Sequence, residues 1–323
     1  MTAAMYVSGV TVSVAIPAYN AAATLDETVW SVRRQTHANL EIFVVDDGSR
    51  DNTAALAQRH AEEDPRVTVI RKENGGVSSA RNAALARAGG TFFASVDADD
   101  LWHPDKIRRQ LEAMHDGGPD VVLSYTWFAY IDGNSRILAT AQPNEDGDVI
   151  PRMCRGNVVG NASSPLMRTH VLRAIGGWDQ DMRQGNEDYN TYFRLAELGR
   201  FAVVRDYLLG YRQTAGNMSS NAVRMLASYD HVVARYAPNH PEYAAQFAAG
   251  RRDLIAYLFD KAILNLGWRP ALFLLRQALA SDRAGALKLL LHAPLIASRI
   301  LLPLSARAWL QHGTMKGAQY PVG

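Results

Sequence analysis

Residues 12–20 read VSVAIPAYN, and residues 41–49 read EIFVVDDGS. Each stretch contains a predicted strand, Val12–Ile16 or Glu41–Val45, which is rich in Val and Ile and runs into turn-forming or polar residues, the pattern of a buried strand that ends in a loop. The strand pattern recurs at Val67–Arg71 and Thr91–Val96. Helical patterns fill the intervals between the strands, at about Thr24–Gln35, Thr53–Glu63 and Val77–Arg87. This alternation predicts an α/β domain in which helices flank a mostly parallel sheet.

The pattern changes farther along the chain. A helix is predicted from Pro104 to His115, followed by strands near Val121–Tyr130 and Arg136–Ala141. Toward the C-terminus, Leu- and Ala-rich amphipathic patterns replace the strand signals. We therefore predict an α/β domain at residues 1–220 and a helical region at residues 221–323.

The composition is that of a globular protein. Of 323 residues, 48% are hydrophobic and 20% are charged, and the single cysteine, Cys154, excludes an intrachain disulfide. No Lys or Arg precedes Arg33, and no apolar stretch is long enough to cross a bilayer. These features predict neither a signal peptide nor a membrane span, so a cytoplasmic location is expected.

The net charge of +2 is unevenly distributed along the chain. From Arg224 to the C-terminus there are 12 Lys or Arg and 5 Asp or Glu, a net charge of +7. The first 223 residues hold the other 22 basic and 27 acidic residues, a net charge of −5. An acidic first part suits the binding of a cation, and a basic last part suits an anionic surface.

Polar clusters follow the first two predicted strands directly. They are Pro17-Ala18-Tyr19-Asn20 and Asp46-Asp47-Gly48-Ser49. Ligands of open α/β sheets bind beyond the carboxyl ends of the strands, so these clusters are placed to hold a nucleotide. Each also has a purely structural interpretation, because Asp, Gly and Ser are common in turns and at helix N-termini.

A third cluster, Asp97-Ala98-Asp99-Asp100, follows the fourth strand. Residues two apart on an extended chain face the same way, so Asp97 and Asp99 can reach one ion. Carboxylate oxygens suit Mg²⁺ or Mn²⁺, which also take phosphate oxygens from a substrate. The alternative is a solvated acidic loop in which Asp100 caps the next helix.

A fourth cluster begins with Gly176-Gly177-Trp178-Asp179 and continues to Glu187-Asp188 at the start of a predicted helix. A carboxylate at a helix N-terminus is stabilised as an anion, and it can then serve as a general base. Capping of that helix is the alternative interpretation. Trp102 and Trp178 stand beside these clusters and are candidates for the floor of a sugar-binding pocket.

Taken together, the clusters resemble glycosyltransferase family 2, a family with the Rossmann-like GT-A fold. The resemblance runs from Val12 to about Ser219. Six motifs occur in the family's order, and they read VAIPAYN (14–20), VVDDGS (44–49), NGGVSSARN (74–82), DADD (97–100), IGGWD (175–179) and ED (187–188). The resemblance implies a nucleotide-sugar half at about residues 1–103 and an acceptor half at about residues 104–220.

The resemblance also implies roles for individual residues on the donor side. Tyr19 and Asp47 would hold the base of the nucleotide, with Asp47 accepting the uracil N–H, and Pro17 would contribute backbone contacts. Arg81 would lie near the nucleotide or the diphosphate, as would Arg212. Trp102 completes the predicted nucleotide-sugar-binding set.

The chemistry implied by the resemblance places Asp99 as the direct ligand of Mn²⁺ or Mg²⁺ and Asp97 as a ligand of the metal or the ribose. Asp188 would be the catalytic base, with Glu187 as its neighbour near the acceptor. A single sugar would pass with inversion from a UDP-sugar to a hydroxyl of a saccharide or lipid-linked saccharide, in cell-surface polysaccharide or glycolipid synthesis. Nucleic acid is not an expected partner.

Two features depart from the family pattern. Members often carry a His shortly after a Tyr-Arg pair, whereas Tyr211-Arg212 is followed by QTAGNMS at residues 213–219. Contacts made by that His are therefore not expected here. The Gln-x-x-Arg-Trp signature of processive synthases is also absent, which favours transfer of one sugar per encounter.

The helical region carries a basic series among its leucines. It consists of Arg269, Arg276, Arg283, Lys288, Arg299 and Arg307, and Gly267, Pro270, Pro294 and Pro303 divide the region into short helices. One interpretation is an amphipathic surface that rests on anionic lipid at the inner face of the cell membrane. The other is a helical appendage that packs its leucines inward and turns its basic residues to water.

Other protein classes fit the sequence less well. A nucleotidylyltransferase or a dehydrogenase is expected to carry a Gly-rich phosphate loop after the first strand, and Ala18-Tyr19-Asn20-Ala21 is not one. A catalytically inactive nucleotide-sugar-binding scaffold stays as the alternative. The presence of Asp188 argues against a scaffold, because a protein that only binds a nucleotide sugar has no need of a catalytic base.

Overall fold

In the computed structural model, the chain is described at residues 7–182, 185–213, 221–264, 267–298 and 319–321. Nine strands lie within these ranges: β1 Val12–Ala18, β2 Leu40–Asp46, β3 Val67–Arg71, β4 Phe92–Ser95, β5 Leu101–Trp102, β6 Val121–Ile131, β7 Ile137–Ala141, β8 Leu166–Arg168 and β9 Arg200–Arg212.

The described strands form one sheet in the order β3-β2-β1-β4-β8-β6-β9-β5, with β7 paired to β6. The first four strands of that order are parallel to one another, as predicted. β8 is antiparallel to both β4 and β6, whereas β9 is parallel to β6. The second half of the sheet therefore contains both parallel and antiparallel strand pairs. Within that half, β6 and β9 form the parallel pair.

Eleven α-helices are described: α1 Leu25–Arg33, α2 Thr53–Glu63, α3 Val77–Arg87, α4 Lys106–Asp116, α5 Ile150–Met153, α6 Thr169–Ala174, α7 Glu187–Ala196, α8 Ala222–Tyr236, α9 Ala244–Leu264, α10 Trp268–Ser281 and α11 Arg283–Ser298. The bounds of β3, α2 and α3 agree with the sequence prediction at both ends. Those of β1, β2, β4, α1, α4, β6 and β7 agree within two residues.

Helices on both faces bury the central strands completely. Val14 and Ile16 of β1 pack into the hydrophobic cluster on one side of the sheet, while Ala15 packs into the cluster on the other. All seven residues of β1 are buried for this reason. The unbroken apolar runs of the sequence are thus the expected signature of strands covered on two faces.

β8 and β9 were not predicted from the sequence. β8 is three residues long, too short to leave a recognisable pattern. β9 is thirteen residues long and pairs along most of β6. Its last residue, Arg212, reaches the loop that follows β4, so this strand carries a distant segment to the edge of the sheet where the polar clusters lie.

The C-terminal helices have a small core of their own but also pack on the α/β domain. Leu226, Leu258 and Leu274 belong to the cluster that joins α8, α9 and α10. Tyr236 of α8 stacks on Phe193 of α7, with ring centroids 4.2 Å apart. Helix α7 therefore lies between the sheet and the helical region. None of the helices in the described ranges combines the length and the hydropathy that a bilayer span requires.

Candidate active site

The loops after β1 and β2 line one cavity, which we call the β1 cavity. Its volume is about 620 Å³, and its walls include Pro17, Tyr19, Asp47, the loop at residues 74–78 and Glu187. Half of the Tyr19 side chain is exposed. The structure thus brings together the three residues predicted to hold the base of a nucleotide, at the carboxyl ends of two parallel strands.

Asp47 is held firmly by the neighbouring loop. Its carboxylate accepts hydrogen bonds from the backbone N–H of Gly75 at 3.0 Å and Gly76 at 2.8 Å, and from Lys72 Nζ at 2.6 Å. Gly76 has φ +85°, a conformation that side-chain-bearing residues rarely adopt. The carboxylate is therefore oriented in advance, and a bound base would share it with Lys72.

The loop after β4 separates the roles of its acidic residues. Asp100 is buried, and its carboxylate accepts hydrogen bonds from Ser163 Oγ at 2.5 Å and from the backbone N–H of Arg212 at 2.8 Å. Asp97 and Asp99 stay partly exposed. Asp100 therefore braces the loop, and the two acids of the Asp-x-Asp pair are left to meet a ligand.

Arg81 lies against the loop after β4. Its side chain is 1% exposed and lines neither the β1 cavity nor the cavity beside Asp188. One guanidinium nitrogen lies 2.7 Å from Asp97 Oδ1 and another lies 2.9 Å from Glu187 Oε1. Arg81 thus ties the loop after β4 to the start of α7, as a positioning residue between two acidic groups.

Arg212 and Trp102 are buried near the same loop. The guanidinium of Arg212 donates to the carbonyl oxygens of Asp99, Asp132 and Gly133. The indole N–H of Trp102 donates to the carbonyl oxygen of Ser163. Neither side chain lines the β1 cavity or the cavity beside Asp188. Trp178 is likewise buried.

Asp188, in the first turn of α7, lines a second cavity that we call the α7 cavity, of about 500 Å³. Its carboxylate accepts hydrogen bonds from Asn157 Nδ2 at 3.1 Å and from the backbone N–H of Tyr189 at 2.7 Å. Burial, and then the charge of Glu187, raise the pKa of Asp188 to about 7. A carboxylate with such a pKa can accept a proton near neutral pH.

The two cavities meet at Glu187, which lines both of them. Asp97 shares the α7 cavity with Asp188. A nucleotide in the β1 cavity would therefore direct its diphosphate toward Asp97, with the carboxylate of Asp188 facing the space beyond. The arrangement can place a leaving group and a proton acceptor on different sides of one reacting carbon.

Asp97 and Asp99 fit a divalent cation by the chemistry of their donor atoms. Burial, and then the charge of Asp97, raise the pKa of Asp99 to about 6. Among the described residues, no group of three or more His, Cys, Asp or Glu side chains is arranged to hold a metal. A pair of carboxylates is the donor set of a cation such as Mg²⁺ or Mn²⁺ that takes one or two carboxylates and completes its shell with substrate phosphates.

Some residues of the α7 cavity had no signal in the sequence. Asn157 and Tyr130 line it together with residues of α9, far away in the chain, and with Tyr211 of the Tyr-Arg pair. Gln213 lines it too, but residues 214–219 of the segment that lacks the family His lie outside the described residues.

The chain is similar to known glycosyltransferases. Glycosyl transferase family 2 matches residues 13–168. An uncharacterised glycosyltransferase of Rickettsia prowazekii is 26% identical over 226 residues, which make up 68% of this chain and 69% of the relative.

Two solved structures share the fold. The mannosyltransferase PcManGT from Pyrobaculum calidifontis, in complex with GDP-Man and Mn²⁺, has a TM-score of 0.57 at 19% identity, over 92% of this chain and 84% of that chain. Residues 1–349 of TarS from S. aureus, in complex with UDP-GlcNAc, have a TM-score of 0.55 at 18% identity, over 85% of this chain and 92% of that chain. At these identities the likeness concerns the fold.

Proposed function

Since this chain belongs to glycosyl transferase family 2 through residues 13–168, we propose that it transfers one sugar, with inversion, from a UDP-sugar to a saccharide hydroxyl. The expected GT-A fold and glycosyltransferase class are confirmed. The observation that carries the finer proposal is the meeting of the β1 and α7 cavities at Glu187, with Asp97 and Asp188 in the same cavity.

In the proposed reaction the nucleotide lies in the β1 cavity and the acceptor lies in the α7 cavity. The acceptor oxygen forms a bond to the anomeric carbon while the bond from that carbon to the diphosphate breaks, and the electron pair leaves with UDP. Asp188 accepts the hydroxyl proton as the new bond forms, because a sugar hydroxyl is too weak an acid to ionise beforehand. Asn157 and the N–H of Tyr189 hold the Asp188 carboxylate in place for that transfer.

The diphosphate side of the reaction is assigned to the loop after β4. Asp99 and Asp97 would hold Mn²⁺ or Mg²⁺, which offsets the negative charge that develops on a departing diphosphate. Asp97 is held toward the cavity by Arg81, and the backbone of Asp99 is held by Arg212. The chain thus fixes the Asp97 carboxylate and the backbone that carries Asp99 before a donor binds, which reduces the reorganisation needed during the reaction.

A uridine nucleotide is proposed because of the pre-oriented Asp47 carboxylate, which can accept the imide N–H of uracil. The fold relative TarS is seen with UDP-GlcNAc, and the relative PcManGT is seen with GDP-Man. We expect UDP with Mn²⁺ to raise the melting temperature of the protein more than GDP with Mn²⁺ does.

Metal removal tests the proposed reaction. With UDP-glucose and UDP-N-acetylglucosamine as donors and Mn²⁺ present, we expect release of UDP, measured by a coupled assay. Excess EDTA should lower that rate at least about 100-fold, since a metal supplies several kcal/mol of charge stabilisation, and added Mn²⁺ should restore it. UDP release that is insensitive to EDTA would contradict the assigned metal role. Binding of UDP-sugar without release under either condition would support the inactive scaffold instead.

We also propose that the C-terminal helices rest on an anionic membrane. Leu272 and Leu279 of α10 and Leu287, Leu290 and Leu291 of α11 are exposed, and we call these five residues the leucine face. α10 carries the basic residues Arg269 and Arg276, and α11 carries Lys288. Asp282, between the two helices, is the one acidic residue of the sequence from 268 to 298. An apolar face with basic residues beside it matches the charge of an anionic lipid surface. Of the other predicted basic residues, the Arg283 side chain, Arg299 and Arg307 lie outside the described residues, as does Pro303.

Vesicle sedimentation tests the membrane contact. We expect the protein to pellet with vesicles of phosphatidylcholine and phosphatidylglycerol but not with phosphatidylcholine alone. Leu287→Glu combined with Leu291→Glu should reduce pelleting about tenfold or more, because two charges enter the leucine face. Leu198→Glu, an equally exposed leucine of the α/β domain, is the matched control and should pellet as wild type does. Equal pelleting with neutral and anionic vesicles would overturn the proposal.

A further inference from the structure

Helix α9 forms a wall of the α7 cavity, although it lies outside the segment that matches the family. Asp253, Leu254, Tyr257 and Lys261 all line that cavity. Asp253 and Leu254 lie four and three residues before Tyr257, and Lys261 lies four residues after it, so all four share one face of the helix. The helical region therefore supplies part of the surface of the cavity that Asp188 also lines.

This wall has a fixed position relative to the base. Gly250 brings α9 against the loop before Asn157 so closely that a side chain there would collide with the carbonyl oxygen of Arg155 and the hydroxyl of Tyr229. An ion pair also joins the loop to α9, in which Arg155 Nε lies 2.7 Å from Asp253 Oδ2. Asn157, two residues after Arg155, is the residue that donates to Asp188.

The chemistry of the wall is that of a sugar-binding surface. Tyr257 is 59% exposed although it faces a cavity, and Tyr130 and Tyr211 line the same cavity. Aromatic rings offer flat apolar faces with a polar edge, which complement a pyranose ring whose faces carry C–H groups and whose rim carries hydroxyls. Asp253 and Lys261 lie one helical turn to either side of Tyr257 and can meet those hydroxyls.

We infer that α9 binds a pyranose ring of the acceptor saccharide, with Tyr257 as the stacking platform. This inference rests on the proposed transfer to a saccharide hydroxyl and assigns acceptor selection to the helical region. The distance from Asp253 to Lys261 along the helix is about 12 Å, so the wall is longer than one sugar ring. An acceptor of at least two sugar residues can therefore contact α9 and present its terminal hydroxyl to Asp188.

Saturation-transfer NMR with full-length protein, UDP and Mn²⁺ tests the inference. The ligands are methyl hexopyranosides, methyl N-acetylhexosaminides and their disaccharides. We expect at least one disaccharide to bind wild type, and Tyr257→Ala to weaken that binding about tenfold. Tyr257→Phe keeps the ring and should bind as wild type does. Val223→Ala, an exposed apolar residue of the same region outside the cavity, is the matched control and should also bind normally.

Several outcomes would overturn the inference. One is equal saccharide binding by wild type and Tyr257→Ala, and another is the absence of binding by every saccharide of the panel. Melting temperatures and UDP release from the donor are measured on each variant. If wild type releases UDP but Tyr257→Ala binds saccharide normally, the inference about α9 fails while the proposed function stands. If wild type never releases UDP, the proposed function itself fails.

Discussion

Replacing Asp188 by Asn is expected to lower kcat for sugar transfer about 1000-fold, the middle of the range for loss of a positioned general base. The amide has nearly the same shape as the carboxylate but cannot accept the hydroxyl proton. Asn157 and the backbone N–H of Tyr189 contact the side chain at this position, so its location is largely kept. Initial rates of UDP release at saturating acceptor measure the effect, and the shift in melting temperature with UDP should stay at the wild-type value.

The pH profile gives a second measurement of the same group. Burial and the charge of Glu187 raise the pKa of Asp188 to about 7, and the base must be deprotonated to work. Activity of wild type should therefore fall as the pH drops through about 7. The residual activity of Asp188→Asn should not show that decrease. Glu197→Gln changes a carboxylate at the other end of α7 and should leave kcat unchanged. A rate for Asp188→Asn within tenfold of wild type would exclude Asp188 as the base.

Replacing Arg81 by Met is expected to lower the melting temperature by about 10 °C and kcat about 100-fold. The buried guanidinium lies between Asp97 and Glu187, and its removal leaves two negative charges without their partner. Breaking a buried ion pair in this way costs about 3–5 kcal/mol. Activity falls as well, because the side chains that face the diphosphate and the base lose their common anchor. Differential scanning calorimetry and initial rates measure the two effects.

Second variants separate the two roles of Arg81. Arg81→Lys keeps a positive charge but cannot bridge two carboxylates with one planar group, so its stability and kcat should fall between those of wild type and Arg81→Met. Combining Arg81→Met with Glu187→Gln removes one of the two carboxylates that have lost their ion-pair partner. The double variant should recover part of the stability without recovering kcat. If Arg81→Met has wild-type stability and kcat, the positioning role is wrong.

Local patterns were sufficient to predict the core of the fold. The strands and helices from β1 to β4 were predicted because strands that are buried on both faces leave unbroken runs of Val, Ile and Phe. The positions of Tyr19, Asp47 and Asp97 followed from the same runs, since the carboxyl ends of parallel strands meet at one edge. β8 escaped prediction because three residues carry too little periodicity.

The side chains that turned out to be structural could not be distinguished in this way. Arg81 and Glu187 are 106 positions apart in the chain, and Arg212 and Glu27 are 185 positions apart. A motif indicates that an arginine lies near a loop. The burial of the arginine side chain depends on which distant segments of the chain pack around it. The motifs therefore predict that Arg81, Arg212 and Trp102 lie near the donor, but only the structure shows that all three side chains are buried.

The sequence by itself determined the succession of strands and helices from β1 to β4, the family resemblance, and the presence of acidic residues where the first strands end. The strands and helices show in periodicity over a few residues, and the resemblance shows in short motifs that keep their order along the chain. Only the tertiary structure decided that Arg81 joins Asp97 to Glu187, that Asn157 supports Asp188, and that α9 faces the same cavity. Each of these contacts joins segments that are remote in the chain. Such contacts depend on how the whole chain packs in three dimensions, and hydrophobic periodicity, which reports local secondary structure, does not reveal them.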